Sequence, residues 1–443
     1  MKEIKNEKIE LTIKTWGIDS TGIYNFSSEK NKIKEVIFSK DDSGYIVRGN
    51  SCNNIINKNQ NSQINELDED ILFYVRKSFK TNEYEIVNIP RKKMKMDEHS
   101  IENLNNRLWY IVPSENELPD IVNDEEYILN ENDIIKLGRK KYVIIKKNIN
   151  SFKDEENKYI NKNDYNISEV NKKYGSIFDL DIKSSQYKVT EKEEEIKPKL
   201  EKMEMNTKET IDIGYNNNKI NLLEETKNED NDNEIEQCRI CYDNKSTKDN
   251  PKLRLCSCKD YIHYECLKMY LSSKLDISEN QKFTVKTFNC NKFNCDVCLH
   301  PYPLRFRIPE FNRVYDLINL TMPSEFNYII LESLDFIKDN HNMKTVHLVQ
   351  LVDDEITIGR FTSNDITDMD ISVSRRHAVI KYDKNNGNLT IKNISEKFGT
   401  LILIKGNIKI KNKEIDFQAG RSLIKAKIIN GEKSSEDYTS DEE

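Results

Sequence analysis

The sequence predicts a multidomain, mainly β chain. It divides into an N-terminal β-rich domain (residues 1–147), a disordered charged linker (148–236), a small cysteine-rich module (237–307), a C-terminal β-sandwich (324–429) and an acidic tail (430–443). Three observations predict this. Short apolar runs bounded by Asn, Asp, Ser and Gly recur at both ends of the chain. A stretch dominated by Lys, Glu, Asn and Asp separates them, and eight of the nine cysteines fall between Cys238 and Cys298.

The first region carries Glu35–Phe38, Ile71–Val75, Leu108–Val112 and Tyr142–Ile145, short β-like runs separated by polar turns. The linker contains Glu191-Lys192-Glu193-Glu194-Glu195 and the acidic run Asn228–Glu234, too polar to bury a core. In the last region Tyr328–Leu331, His347–Val349, Glu355–Ile358, Ala378–Ile380, Leu389–Ile391 and Leu401–Ile404 follow at short intervals. Asn385-Asn386-Gly387-Asn388 marks a hairpin, because Asn and Gly tolerate positive φ; an antiparallel sandwich fits. Asn132–Arg139 echoes Lys413–Arg421, which makes the first region either a degenerate copy of the last or a chance likeness.

Composition bounds the function. Of 443 residues, 36% are hydrophobic and 33% charged, a balance too polar for one compact globule. The net charge of -7 excludes global attraction to nucleic acid or anionic lipid, so no direct nucleic-acid partner is expected and any anion site must be local. No stretch approaches the ~20 apolar residues of a membrane span. Met1–Lys14 alternates charge with aliphatics instead of forming a signal core, so a soluble protein of the cytoplasm or nucleus is expected.

The cysteines are spaced as Cys238-x2-Cys241-x14-Cys256-x-Cys258-x4-His263-x2-Cys266-x28-Cys295-x2-Cys298. Zinc takes four N or S donors at tetrahedral corners, and a short spacer lets one turn supply two of them. Eight ligands imply two closed sites, hence two structural zinc ions with no open position for a reacting water. Cys290 could replace Cys295, although Cys295-x2-Cys298 keeps the regular spacer; Cys52 stands apart as a plain thiol.

Cys-Arg-Ile-Cys at 238–241, Cys-Ser-Cys at 256–258, His-Tyr-Glu-Cys-Leu at 263–267 and Cys-Asp-Val-Cys at 295–298 resemble a RING-variant (RING-CH) finger. The resemblance implies an α+β cross-brace in which Cys238, Cys241, His263 and Cys266 hold one zinc and Cys256, Cys258, Cys295 and Cys298 the other. It also implies docking of a ubiquitin-conjugating enzyme, with Ile240 as apolar contact and Tyr270 in place of the family's usual Trp. Leu299 departs from the cationic residue that often follows the last ligand in active ligases. A PHD finger shares the ligand order and is met by Phe293; the single-residue spacer Cys256-Ser257-Cys258 speaks against it.

In the last region Gly359-Arg360, Ser374-Arg375-Arg376-His377 and Phe398-Gly399-Thr400 resemble a forkhead-associated (FHA) domain, a sandwich that reads phosphothreonine. Two guanidinium forks and a hydroxyl suit a phosphate dianion. By resemblance Arg360 and Ser374 grip the phosphate, Arg375 fixes the peptide backbone, and Gly359 and His377 brace the loops. Phe398 stands where many members have Asn. The expected function is therefore ubiquitin transfer to phosphothreonine-bearing partners, with no catalytic nucleophile of the chain's own. A non-enzymatic phosphopeptide scaffold with a structural or histone-reading finger is the alternative.

Overall fold

The computed structural model describes residues 7–15, 32–39, 42–47, 54–57, 71–78, 83–88, 104, 107–114, 127–149, 180–190, 237–320, 322–334, 344–395, 398–410 and 414–430. Most of the linker expected to be disordered (150–179 and 191–236) and of the tail (431–443) lies outside the described residues; within the linker, 180–190 is instead ordered, its strands Leu180–Asp181 and Tyr187–Lys188 pairing with Phe306–Arg307 and Lys252–Leu253, because backbone pairing needs no apolar composition. Among the described residues strands dominate, and the α-helix Tyr264–Ser272 lies in the cysteine-rich module.

The two β regions interleave. A twelve-stranded antiparallel sheet runs, in order, through Asp276–Glu279, Val285–Asn289, Thr345–Gln350, Tyr328–Ser333, Lys140–Asn148, Ile134–Leu137, Thr400–Leu403, Leu108–Ile111, Ile415–Ala419, Ser422–Asn430, Glu7–Thr15 and Lys32–Phe38. Strand Tyr328–Ser333 is paired by Lys140–Asn148 (Ile144↔Leu331), and Glu7–Thr15 by Ser422–Asn430 (Leu11↔Ala426). Each β region is thus completed by the last hairpin of the other. The hairpins are Ile134–Leu137 with Lys140–Asn148, and Ile415–Ala419 with Ser422–Asn430, and they turn at Gly138 (φ 60°) and Gly420 (φ 54°). They are also the two echoing sequences.

Two five-stranded sheets cover one face. Glu355–Gly359, Ala378–Tyr382 and Leu389–Asn393, with Ile366–Thr367 and Tyr127–Ile128 at the edges, form one; Gly44–Val47, Ile71–Lys77 and Tyr84–Val87, with Asn54–Asn57 and Ile408–Ile410, form the other. Both edges repeat the exchange, since Tyr127–Ile128 pairs Leu389–Asn393 and Ile408–Ile410 pairs Tyr84–Val87. A single core that includes Leu11, Phe73, Tyr110, Ile144, Ile358 and Phe417 runs beneath both sheets. At the centre Leu108–Ile111 and Thr400–Leu403 pair antiparallel, where the chain leaves one sandwich for the other. A buried Lys405–Asp133 ion pair (3.1 Å) ties that crossing.

The opposite face seats the cysteine-rich module. Along Tyr328–Ser333, Ile329 and Leu331 enter the sandwich core, whereas Tyr328 and Ile330 enter the module's core with Leu267, Phe293 and Phe306. Burial on both faces explains why this strand reads as a continuous apolar run. The module's hairpin Asp276–Asn289 extends the large sheet through Val285↔Val349, and Lys282 bridges Asp353 (3.0 Å) and Asp365 (3.1 Å). Module and second sandwich therefore share one sheet and one apolar interface.

Candidate metal centres and phosphate-binding loops

Cys238, Cys241, His263 and Cys266 form one group whose donor atoms lie within 4.8 Å of one another; Cys256, Cys258, Cys295 and Cys298 form a second. Either group can hold a metal ion. The Cys258–Cys295 sulfur separation of 3.8 Å equals the edge of a tetrahedron with metal–sulfur bonds of about 2.3 Å, the zinc value. Cys290 belongs to neither group; it is buried in the module core, and burial pushes its thiol up to about 12.

Two matching turns present the ligands. Tyr242 donates its N–H to the Cys238 carbonyl (2.8 Å) and Leu299 to that of Cys295 (2.9 Å), and both adopt positive φ. Burial raises the Cys238 thiol, but the N–H groups of Cys241, His263 and Ile240 outweigh it and lower the pKa. Burial likewise acts upward on Cys295, and the N–H groups of Cys298 and Val297, with Tyr302 and Arg239, bring it down to about 5. Cys258 and Cys266 are pushed up to about 12, the first mainly by Cys298, the second by burial and then Cys241. Such crowding of sulfur is what a divalent cation offsets.

His263 turns Nδ1 to Cys241 Sγ (3.2 Å) and places Nε2 2.6 Å from the Lys245 carbonyl. Donation from Nε2 to that carbonyl leaves Nδ1 as the ligand nitrogen, the usual outer-shell device for orienting a metal-bound imidazole. Arg239 donates to Cys295 Sγ (3.7 Å) and links the two groups. Lys274 joins Asp296 of the second turn and sits 4.3 Å from the Tyr270 ring centroid. Tyr270 is half-buried against the module core, whereas Ile240 is 40% exposed and Met269 75% exposed. Of the two expected docking contacts, then, Ile240 offers apolar surface and Tyr270 mainly packs.

In the second sandwich, strand Glu355–Gly359 delivers Arg360 beside the turn that carries Ser374. Arg360 N–H donates to the Ser374 carbonyl (2.9 Å) and Phe361 N–H to that of Arg375 (3.2 Å). Gly359 is required here, since a Cβ would lie 2.4 Å from the Arg375 carbonyl oxygen. Ser374 N–H donates to His377 Nδ1 (3.0 Å), and burial holds the imidazole neutral, with a pKa lowered to about 4. Arg375 is exposed and stacks over Phe361 at 5.3 Å. Arg360, Ser374 and Arg375 thus lie on two adjacent loops.

Four contributors escaped the sequence reading. Asn364 donates to the Phe361 (2.7 Å) and Arg375 (2.8 Å) carbonyls and clamps the two loops together. Ser395 meets Ser374 Oγ at 2.6 Å and accepts from Phe398 N–H (3.1 Å). Gly138 packs so closely that a Cβ would lie 2.2 Å from the Ser372 carbonyl oxygen. Arg139 N–H donates to Ser372 Oγ (2.9 Å), and its guanidinium pairs with Asp370 (3.1 Å). The Gly138-Arg139 turn, distant by more than two hundred residues in sequence, supports the loop from below; the echo with Gly420-Arg421 was the available signal.

Residues 356–420 match the FHA domain family model. The match runs across the crossing: its strands up to Leu403 lie in the second sandwich, and Ile408–Ile410 and Ile415–Ala419 in the first. Neither the curated proteins nor the solved structures contain a match to the chain. No helix among the described residues is long and apolar enough to cross a membrane.

Proposed function

We propose that the chain is a ubiquitin ligase whose cysteine-rich module, holding two zinc ions, positions a ubiquitin-conjugating enzyme beside partners captured through phosphothreonine. One observation carries the reading: the eight donors gather as two interleaved groups, the cross-brace arrangement, in a module seated against the FHA-matching sandwich. Arg360, Ser374 and Arg375 would bind the phosphopeptide, and Ile240 with Tyr270 would face the conjugating enzyme. The chain then acts by proximity, since holding two reactants together replaces a bimolecular encounter. Zinc supplies only the rigidity of the knuckles.

Autoubiquitination with a panel of conjugating enzymes tests the enzyme half, with Ile240→Ala as control; activity that survives the substitution contradicts the docking surface. A phosphothreonine peptide array tests the other half: Arg360→Ala abolishes preference for phosphorylated over plain peptides. A second reading, a phosphopeptide scaffold without ligase activity, is favoured by Leu299 after the last ligand and by the packed position of Tyr270. Inactivity with every conjugating enzyme, with phosphopeptide binding intact, selects it.

A further inference from the structure

Residues 180–190, inside the charged stretch, bind the cysteine-rich module as a strap. Leu180–Asp181 pairs parallel with Phe306–Arg307, and Tyr187–Lys188 pairs antiparallel with Lys252–Leu253. The second pairing adds an outer strand to Lys252–Leu253 and Ile262–His263. Between the two, Arg254 N–H donates to the Gln186 carbonyl (2.8 Å) and the Arg254 guanidinium to that of Ser185 (3.0 Å). Two apolar side chains anchor the strap: Ile182, buried in the module core, and Tyr187, edge-on to Phe311 at 5.3 Å. Across 183–190 the remaining side chains are exposed or half-exposed. A segment this polar is held mainly by backbone pairing and by its ends.

At the C-terminal end one hydroxyl meets both backbone groups of Ser246. Thr190 Oγ1 donates to the Ser246 carbonyl (3.0 Å) and accepts from Ser246 N–H (2.8 Å), while Thr190 N–H reaches the same carbonyl (3.0 Å). Ser246 is buried and returns a bond from its own hydroxyl to the Lys188 carbonyl (3.1 Å). Thr190 itself is an exposed residue, and the sequence after it, Glu191-Lys192-Glu193-Glu194-Glu195, offers carboxylates to an enzyme with a basic substrate groove. We propose that Thr190 is a phosphorylation site whose modification releases residues 180–190 from the module.

The chemistry is phosphoryl transfer from a nucleoside triphosphate by an acidic-directed kinase. The Thr190 Oγ1–P bond forms as the β–γ bridging P–O bond breaks, the nucleoside diphosphate leaves, and the hydroxyl proton passes to the kinase base. The product has lost its donor, so the Ser246 carbonyl loses its side-chain partner, and ~-1.5 to -2 charges confront that carbonyl oxygen. Release uncovers the Lys252–Leu253 edge and the Ile182 site, a strand-accepting surface for an extended peptide. Nothing in this step depends on the proposed ligase activity.

The full chain is incubated with an acidic-directed kinase and ATP, site occupancy is read by mass spectrometry, and amide exchange is followed over 180–190 and 252–254. Phosphate appears at Thr190, and exchange in both segments rises tenfold or more while Leu108–Ile111 is unchanged. Thr190→Val, which removes both side-chain bonds without adding charge, gives a smaller rise, and Thr190→Glu a larger one. The proposal is overturned if a synthetic peptide of residues 186–196 is phosphorylated but the full chain is not. It is equally overturned if the phosphorylated chain exchanges at the unmodified rate or more slowly, the result expected were nearby lysines to bind the phosphate in place.

Discussion

The two exchanged hairpins are alike in geometry and unlike in what they touch. Both turn on a left-handed glycine, and both complete a sandwich to which most of the strands come from the other β region. A Cβ on Gly420 would meet only Leu72 Cδ2 at 3.4 Å, ordinary contact with a core side chain. On Gly138 it would enter the backbone of Ser372, in the loop that leads to Ser374 and Arg375. One hairpin therefore closes a core, and the other closes a core and also shapes the candidate binding loops.

The sharpest break of this comparison is to remove the hairpin outright. Residues 324–443 alone would lack Ile135, Leu137, Tyr142 and Ile144, four side chains buried in the shared core. At about 1.5–3 kcal/mol each, their loss takes away most of a typical stability of about 5–15 kcal/mol. That fragment is expected to be unfolded by circular dichroism, although it contains the whole family match; a cooperative thermal transition would contradict the exchange. Metal removal ranks next. Cys295→Ser or strong chelation should melt the module, because structural zinc contributes about 10–16 kcal/mol apparent free energy. Amide protection should then be lost at Tyr264–Ser272 and retained at Glu7–Thr15, which has no strand contact with the module.

Gly138→Ala should cost about 2–4 kcal/mol, the left-handed penalty plus overpacking against backbone, and should weaken phosphopeptide binding. Gly420→Ala should cost about 1–2 kcal/mol with binding intact. Thermal melts with paired affinity measurements separate the two outcomes. Acid should distinguish the sandwiches again. Burial lowers His377, in the second sandwich, and His347, on its strand Thr345–Gln350, to about 4. Both histidines are neutral when folded and protonate near 6.5 when unfolded, so their contribution is complete above pH 6.5 and declines toward pH 4. The slope is about 1.4 kcal/mol per pH unit for each. His377→Gln should halve that slope in denaturant titrations. The smallest effect belongs to Arg139→Ala, since an exposed ion pair with Asp370 is worth roughly 0–1 kcal/mol.

The donor groups were legible because each metal needs four donors and the chain supplies them in pairs a few residues apart; the structure gathers the expected eight. Arg360, Ser374 and His377 were singled out by a different route, resemblance to a family motif, and they lie on two loops one strand apart. The Asn385–Asn388 turn also stands where the sequence puts it, with Gly387 at φ 70° between Ala378–Tyr382 and Leu389–Asn393. Asn364 and Ser395 were not legible, because their work is done through backbone carbonyls and one hydroxyl whose partners only folding brings near. The strap at 180–190 was hidden for the same reason: its composition matches its linker surroundings, and its main-chain pairing and its few side-chain anchors, Ile182, Tyr187 and Thr190, meet partners that only folding brings near.

By itself the sequence determined the local chemistry: which residues can ligate a metal, which can meet a phosphate, and which runs form strands. Only the tertiary structure decided which hairpin closes which sandwich. Strand pairing is made by backbone groups common to every residue, and the two hairpins present similar apolar alternation, so neither sequence names its partner. The choice falls to fits made across the whole fold, among them the close backbone approach of Gly138 to Ser372 and the ion pairs of Arg139 with Asp370 and Lys405 with Asp133.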